Sequence, residues 1–315
     1  MILRRRMFGT ALAILLATGH RAAALAQTVI IPPGSAFGLA PPPGYIASPN
    51  ATGFANPDQP GTSIVLSEMP AGAYPQIERG MTAEALARSG IELVARESFA
   101  TPVGTGLLIT GTQRANERTL AKWMLVVPAK AGETTATALI VVTTPAPADP
   151  PATDAAMRAA FATLAFAPLS MAEKIAALPF RLTEGPTLIV GQTLSGSSAV
   201  LTPGGRQGSP GSPLIAIAFA PGDPVSPGER ATAALVLSRQ LGGLSEVRRT
   251  PPAESADTMR IDGAGRSRDG IAKRFAQWVI FLPDGHLRIL AMADEESFGP
   301  LAAEFETIAS SVVRK

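Results

Sequence analysis

From residue 278 onward both alternating faces of one short stretch are apolar, with Trp278 and Ile280 on one side and Val279 and Phe281 on the other. A strand of that pattern is covered on both sides. It belongs to residues 273–293, KRFAQWVIFLPDGHLRILAMA, where Pro283-Asp284-Gly285 separates two apolar runs and marks a hairpin. Residues 121–143, AKWMLVVPAKAGETTATALIVVT, repeat the plan with a longer turn, and Trp123-Met124-Leu125-Val126-Val127 is again apolar on both faces. These hairpins hold the chain's two tryptophans, and the protein reads as two versions of one unit.

The surrounding pattern agrees. An edge strand at 29–31 opens a segment, 28–45, with five prolines. A strand at 63–70 follows, then a short helix capped by Thr82 that runs through Arg88 and ends at Gly90. Strands at 91–98 and 105–112 lead into the first hairpin; a proline-rich turn at 145–151 precedes a closing helix at 153–166 with Met157, Phe161 and Leu164 on one face. The second half repeats this order with a strand at 214–221, a helix at 229–241, strands at 244–250 and 257–263, the hairpin, and a final helix carrying Leu301, Phe305 and Ile308. Matching residues predicts Trp123 over Trp278, Phe161 over Phe305, and Ile109-Thr110-Gly111 over Ile261-Asp262-Gly263. Residues 169–180 form a joining helix capped by Ser170, and residues 195–212, rich in glycine and proline, read as a mobile loop. The divisions expected are 1–26, 27–168, 169–179 and 180–315. Strands outnumber helices and hairpins dominate, so each unit is expected to be a mainly antiparallel sheet flanked by helices, an α+β arrangement.

Composition changes the picture at the amino terminus. Residues 1–26 read as a secretory signal, with Arg4, Arg5 and Arg6, an apolar run at 11–17 and the small-residue pattern Ala24-Leu25-Ala26. The run is too short to span a bilayer. Arg5-Arg6-Met7-Phe8 is similar to the core of a twin-arginine signal, with the Sec route as the alternative. Removing four arginines and no acid takes the formal charge from +2 to −2. With no cysteine, disulfides, a lipoprotein anchor and thiolate metal sites are excluded, and a periplasmic or secreted protein is expected without a transmembrane segment.

Short edge strands, a small helix, a meander with a tryptophan hairpin and a closing helix, after an export signal, resemble the PsbP-like fold family. That family includes the extrinsic photosystem II protein, exported bacterial relatives and a Ran-binding import factor. The resemblance covers nearly all of the mature chain, twice, and implies an α/β/α sandwich with non-enzymatic binding or assembly roles. No functional residue carries over, because no binding motif of a characterised member matches.

The chain offers little catalytic chemistry. Of two histidines, His20 leaves with the signal, so a serine triad would have to use His286, and G-x-S-x-G does not occur. His286 otherwise reads as a strand residue. Asp294-Glu295-Glu296 either favours the positive end of a helix or offers oxygens to calcium. Gly204-Gly205-Arg206-Gln207-Gly208 lacks the Lys-Ser/Thr of a phosphate loop. The tryptophans read as core, with stacking sites the alternative. No cofactor is expected. One asymmetry is charge: residues 248–274 hold seven basic residues against four acids. Arg266, Arg268 and Arg274 flank the loop at 265–270, as ordinary solvated surface or as a docking patch for an acidic protein or anionic surface. Nucleic acid is not an expected partner. The function expected is a non-catalytic exported binding or assembly factor. The alternatives are a small-ligand carrier using a groove between the units, or a carboxylate-based hydrolase.

Overall fold

Both tryptophan hairpins form the middle of antiparallel sheets whose strand orders match. The computed structural model describes residues 28–48, 52–115, 118–146, 150–194, 196–206 and 211–315; the expected signal lies outside them. In chain order the first unit contains β1 (Phe37–Gly38), β2 (Ile46–Ala47), β3 (Gly53–Ala55), β4 (Ser63–Met69), α1 (Tyr74–Gly80), α2 (Ala83–Arg88), β5 (Ile91–Thr101), β6 (Gly104–Ala115), β7 (Arg118–Ala131), β8 (Thr134–Pro145), α3 (Pro150–Phe161) and β9 (Ala165–Phe166). After α4 (Met171–Ala177) come β10 (Phe180–Arg181), β11 (Leu188–Leu194), β12 (Ser198–Pro203), β13 (Leu214–Pro221), α5 (Arg230–Arg239), β14 (Leu244–Arg249), β15 (Ala253–Ser255), β16 (Thr258–Ser267), β17 (Ala272–Leu282), β18 (Gly285–Asp294), α6 (Glu295–Ser311) and β19 (Val313–Arg314). The first sheet runs β2-β3-β4-β8-β7-β6-β5; the second runs β11-β12-β13-β18-β17-β16-β14, with β15 also on β16.

Alternation along the central strands decides the layers. Trp123, Leu125 and Val127 face α3 with Met157 and Phe161, while Met124, Leu107 and Ile109 face Leu86 of α2. In the second sheet Ala276 and Trp278 face α6, and Val279 and Phe281 face α5. Each unit is thus an α/β/α sandwich, and the whole is α+β. The expected caps form: Thr82 Oγ1 accepts from the Ala85 N–H at 3.2 Å, and Ser170 with Glu173 makes a capping box on α4.

Several expectations need correction. The first hairpin's turn is not longer: β7 and β8 stay paired to Ala131 and Thr134, and only two residues, led by Gly132 at φ 58°, make the turn. The edge strand at 29–31 reduces to a single bridge, Ile30 with Leu39. The loop at 195–212 contains β12, which pairs with β11 and β13; residues 195 and 207–210 lie outside the described structure. The closing helix ends at Phe161, and Ala165–Phe166 instead pairs with β1.

The units also match with a different offset at the tryptophans and the closing helices. The row Ile64–Val142–Trp123–Thr110 of the first sheet matches Ile215–Ala291–Ala276–Asp262 of the second, so Ile109-Thr110-Gly111 does correspond to Ile261-Asp262-Gly263, whereas Trp123 corresponds to Ala276 and Trp278 stands two residues further along its strand; a shift of two keeps it on the same face. In the closing helices, buried Met157, Ala160, Phe161 and Leu164 correspond in spacing to buried Phe305, Ile308, Ala309 and Val312. Leu164 and Val312 each stand just before a two-residue strand, β9 or β19. Phe161 therefore corresponds to Ala309 rather than to Phe305, a slip of one helical turn.

Candidate functional site

Three places on this framework carry concentrated chemistry. The first is the basic end of the second unit. Arg266, at the end of β16, donates to the Gly270 carbonyl at 2.8 Å and lies 3.4 Å from Glu246. Arg274, exposed on β17, holds its guanidinium 4.9 Å from the centre of the Phe298 ring. Arg268 is exposed in the turn and, among the described residues, has no ion-pair partner. Elsewhere in the basic stretch acids meet part of the charge: Lys273 pairs with Asp294, and Arg260 pairs with Asp262 at 2.9 Å and with Glu306, while Arg249 donates to the Ser238 carbonyl at 2.9 Å. A count along the sequence missed these partners because Asp294, Glu306 and Glu246 lie outside residues 248–274 or on another strand.

The second place is a groove of about 360 Å³ between the units, with walls from β4, β8, α4 and β11–β13. Met69, Met171 and Leu214 supply apolar surface; Gln192, Thr202 and Arg206 supply polar groups. Its one lining carboxylate, Glu68, lies 2.7 Å from Lys174 of α4. Sequence reading reached the groove as an idea and none of these residues, because its walls come from four separate segments.

The third concerns the tryptophans. Both are buried on the same face of their sheets, two residues apart in register. The Trp123 indole N–H donates to Asp154 of α3 at 2.8 Å, and Arg158 joins Asp154 and Glu97, each at 2.6 Å. Desolvation works against the Asp154 charge, but the Trp123 and Arg158 hydrogen bonds outweigh it and hold the carboxyl below its ordinary value. The corresponding helix positions of the second unit are Ala302 and Glu306. There Glu306 reaches Arg260, whose guanidinium stands 5.2 Å from the centre of the Trp278 ring, and no acceptor for the Trp278 N–H occurs among the described residues. Beside this group opens a pocket of about 410 Å³ between β15–β17 and α6.

The remaining candidates are structural. His286 lies on β18 opposite Phe281, and burial, then Arg288, pushes its imidazole below its ordinary value. Asp294 precedes α6, with Glu295 and Glu296 in its first turn. Among the described residues no group of three or more His, Cys, Asp or Glu could hold a metal ion, and no helix is long and apolar enough to cross a membrane.

No family model matches the chain, and no curated protein does. Similar solved structures include the apo immunity protein TplEi of T6SS from Pseudomonas aeruginosa, at 12% identity over 91% of this chain and 96% of that one, with a TM-score of 0.32. Another is the Tle4–Tli4 complex, at 12% identity over 85% of this chain and 97% of that chain, with a TM-score of 0.30. TM-scores this low establish neither a shared fold nor a shared role.

Proposed function

We propose that the chain is a non-catalytic exported binding or assembly factor, in the periplasm or secreted, that acts through a protein surface at the basic end of its second unit. The observation that carries this reading is the arrangement of Arg268 and Arg274, both exposed and neither in an ion pair among the described residues, beside Arg266 at one sheet end. Such a cluster attracts an acidic partner and orients its approach. The matching sheet orders, each between helices, support the PsbP-like reading. The ties β1–β9 and β10–β19 support units at 27–168 and 180–315 joined by 169–179; the leader at 1–26 rests on the amino-acid pattern alone.

Poly-L-glutamate serves as an acidic probe of that end. Capture by the wild type falls with salt, as the screening length shrinks from about 10 Å at 0.1 M to about 3 Å at 1 M. Reversing Arg266, Arg268 and Arg274 to glutamate weakens capture, and Arg268→Glu alone, at an exposed residue without an ion pair among the described residues, weakens it while leaving stability within about 0.5 kcal/mol. Capture indifferent to both returns these arginines to ordinary surface.

The groove between the units favours a second reading, a carrier of a small amphipathic ligand, since apolar walls there converge on Lys174, Arg206 and Gln192. A carboxylate-based hydrolase would need two acids facing one reacting bond. Glu68 stands in the groove as half of an ion pair.

A further inference from the structure

We infer that the pocket at Trp278 is a recognition site for an aromatic side chain of a partner protein, presented on a segment with basic neighbours. This goes beyond the docking role of the basic end and does not rest on it.

The first unit shows what this space accepts. There Phe161 is fully buried on the tryptophan face, its ring 6.2 Å from that of Phe99 and at 85° to it, an edge-to-face contact. Neither ring has a counterpart in the second unit. Ala309 stands at the position of Phe161, which removes one ring. Phe99 stands on β5 opposite Gly106, four residues from Thr110. In the equivalent hairpin, β15–β16, Ser255 stands opposite Thr258, four residues from Asp262, the counterpart of Thr110. Ser255 therefore holds the position of Phe99, which removes the second ring, and the pocket, lined by Ser255 and Ala309, opens where two rings stand in the other unit. Trp278, Ile280 and Ala309 give it an apolar wall, and Thr258, Ser255 and Ser310 line it with hydroxyls.

Charge narrows the occupant further. Glu254 and Glu306 line the pocket against one guanidinium, that of Arg260, and Arg260 is itself held by Asp262 through bonds of 2.9 and 3.1 Å. The excess is negative, so acidic neighbours on the incoming segment are repelled and basic ones attracted.

Fluorescence reads the site directly. In Trp123→Phe, Trp278 is the one remaining indole, since the chain has two tryptophans. Titration with N-acetyl-Lys-Phe-Lys-amide is expected to give a saturable change in emission. N-acetyl-Lys-Ala-Lys-amide and N-acetyl-Glu-Phe-Glu-amide are expected to bind about tenfold more weakly, the scale of one aromatic contact or one unfavourable charge pairing. Ala309→Phe, which places a ring in the pocket from within, should abolish the response. Ala253→Phe, at an exposed rim position, should weaken it where the first variant does not fold. Equal binding of either control peptide, no saturable response, or a response intact in the filled variants overturns the inference.

Discussion

Asp154 is a single carboxylate with two structural duties, accepting from the Trp123 indole and anchoring Arg158. Asp154→Ala is expected to cost about 1 to 2 kcal/mol, toward the low end for hydrogen bonds to a charged group because the site is partly exposed. The sign of its pH dependence follows from the lowered folded value. The stabilisation is complete above the ordinary carboxylate range near 3.9 and is lost as pH falls through the folded value. Denaturant midpoints of the wild type and Asp154→Ala should therefore converge in acid; a constant gap would assign the loss to packing alone. Ala302 occupies the corresponding helix position without a carboxylate.

Among the elements, the shortened β15–β16 hairpin bears a visible strain. Its turn places Ala256, a residue with a side chain, at φ 51°, a left-handed conformation that costs roughly 1 kcal/mol or more outside glycine. Ala256→Gly should raise stability by up to about 1 kcal/mol in equilibrium unfolding, with a loss arguing that the turn is relaxed as it stands. The same scale shows what the amino-acid pattern could convey. Both tryptophan hairpins, the Thr82 and Ser170 caps and the two-sided burial of β7 and β17 were legible, because each rests on residues adjacent in the chain. Position along an element was not. A period of two allows a strand to be matched two residues out, as with Trp123 against Trp278, and a period near 3.6 allows Phe161 to be set against Phe305, one turn from its true counterpart Ala309. β12 escaped notice because its six residues lie in a stretch dominated by glycine and proline. The pocket at Trp278 went unseen for the same reason as the slip, since it exists only where Ala309 replaces Phe161.

Across the whole molecule, the units meet where the β11–β12 turn approaches the start of the first sheet. A side chain at Gly196, at φ 62°, would place its Cβ 2.4 Å from the Thr52 methyl group. Gly196→Asn keeps a left-handed backbone accessible while adding bulk, so its effect reads the close approach. Small-angle scattering should show a larger radius of gyration, with faster proteolysis in residues 169–179; an unchanged profile would show that the seam is held elsewhere. The two-residue pairings β1–β9 and β10–β19 have a consequence for heredity. A unit whose first and last strands lie side by side can be copied whole in a gene, the new copy departing from the spot where the old one stops. Neither copy needs to open its sheet to admit the other, and a seven-residue helix, α4, spans the join. Once copied, each unit is free to diverge on its own, and the two now differ at Phe161 against Ala309 and in the length of one hairpin tip.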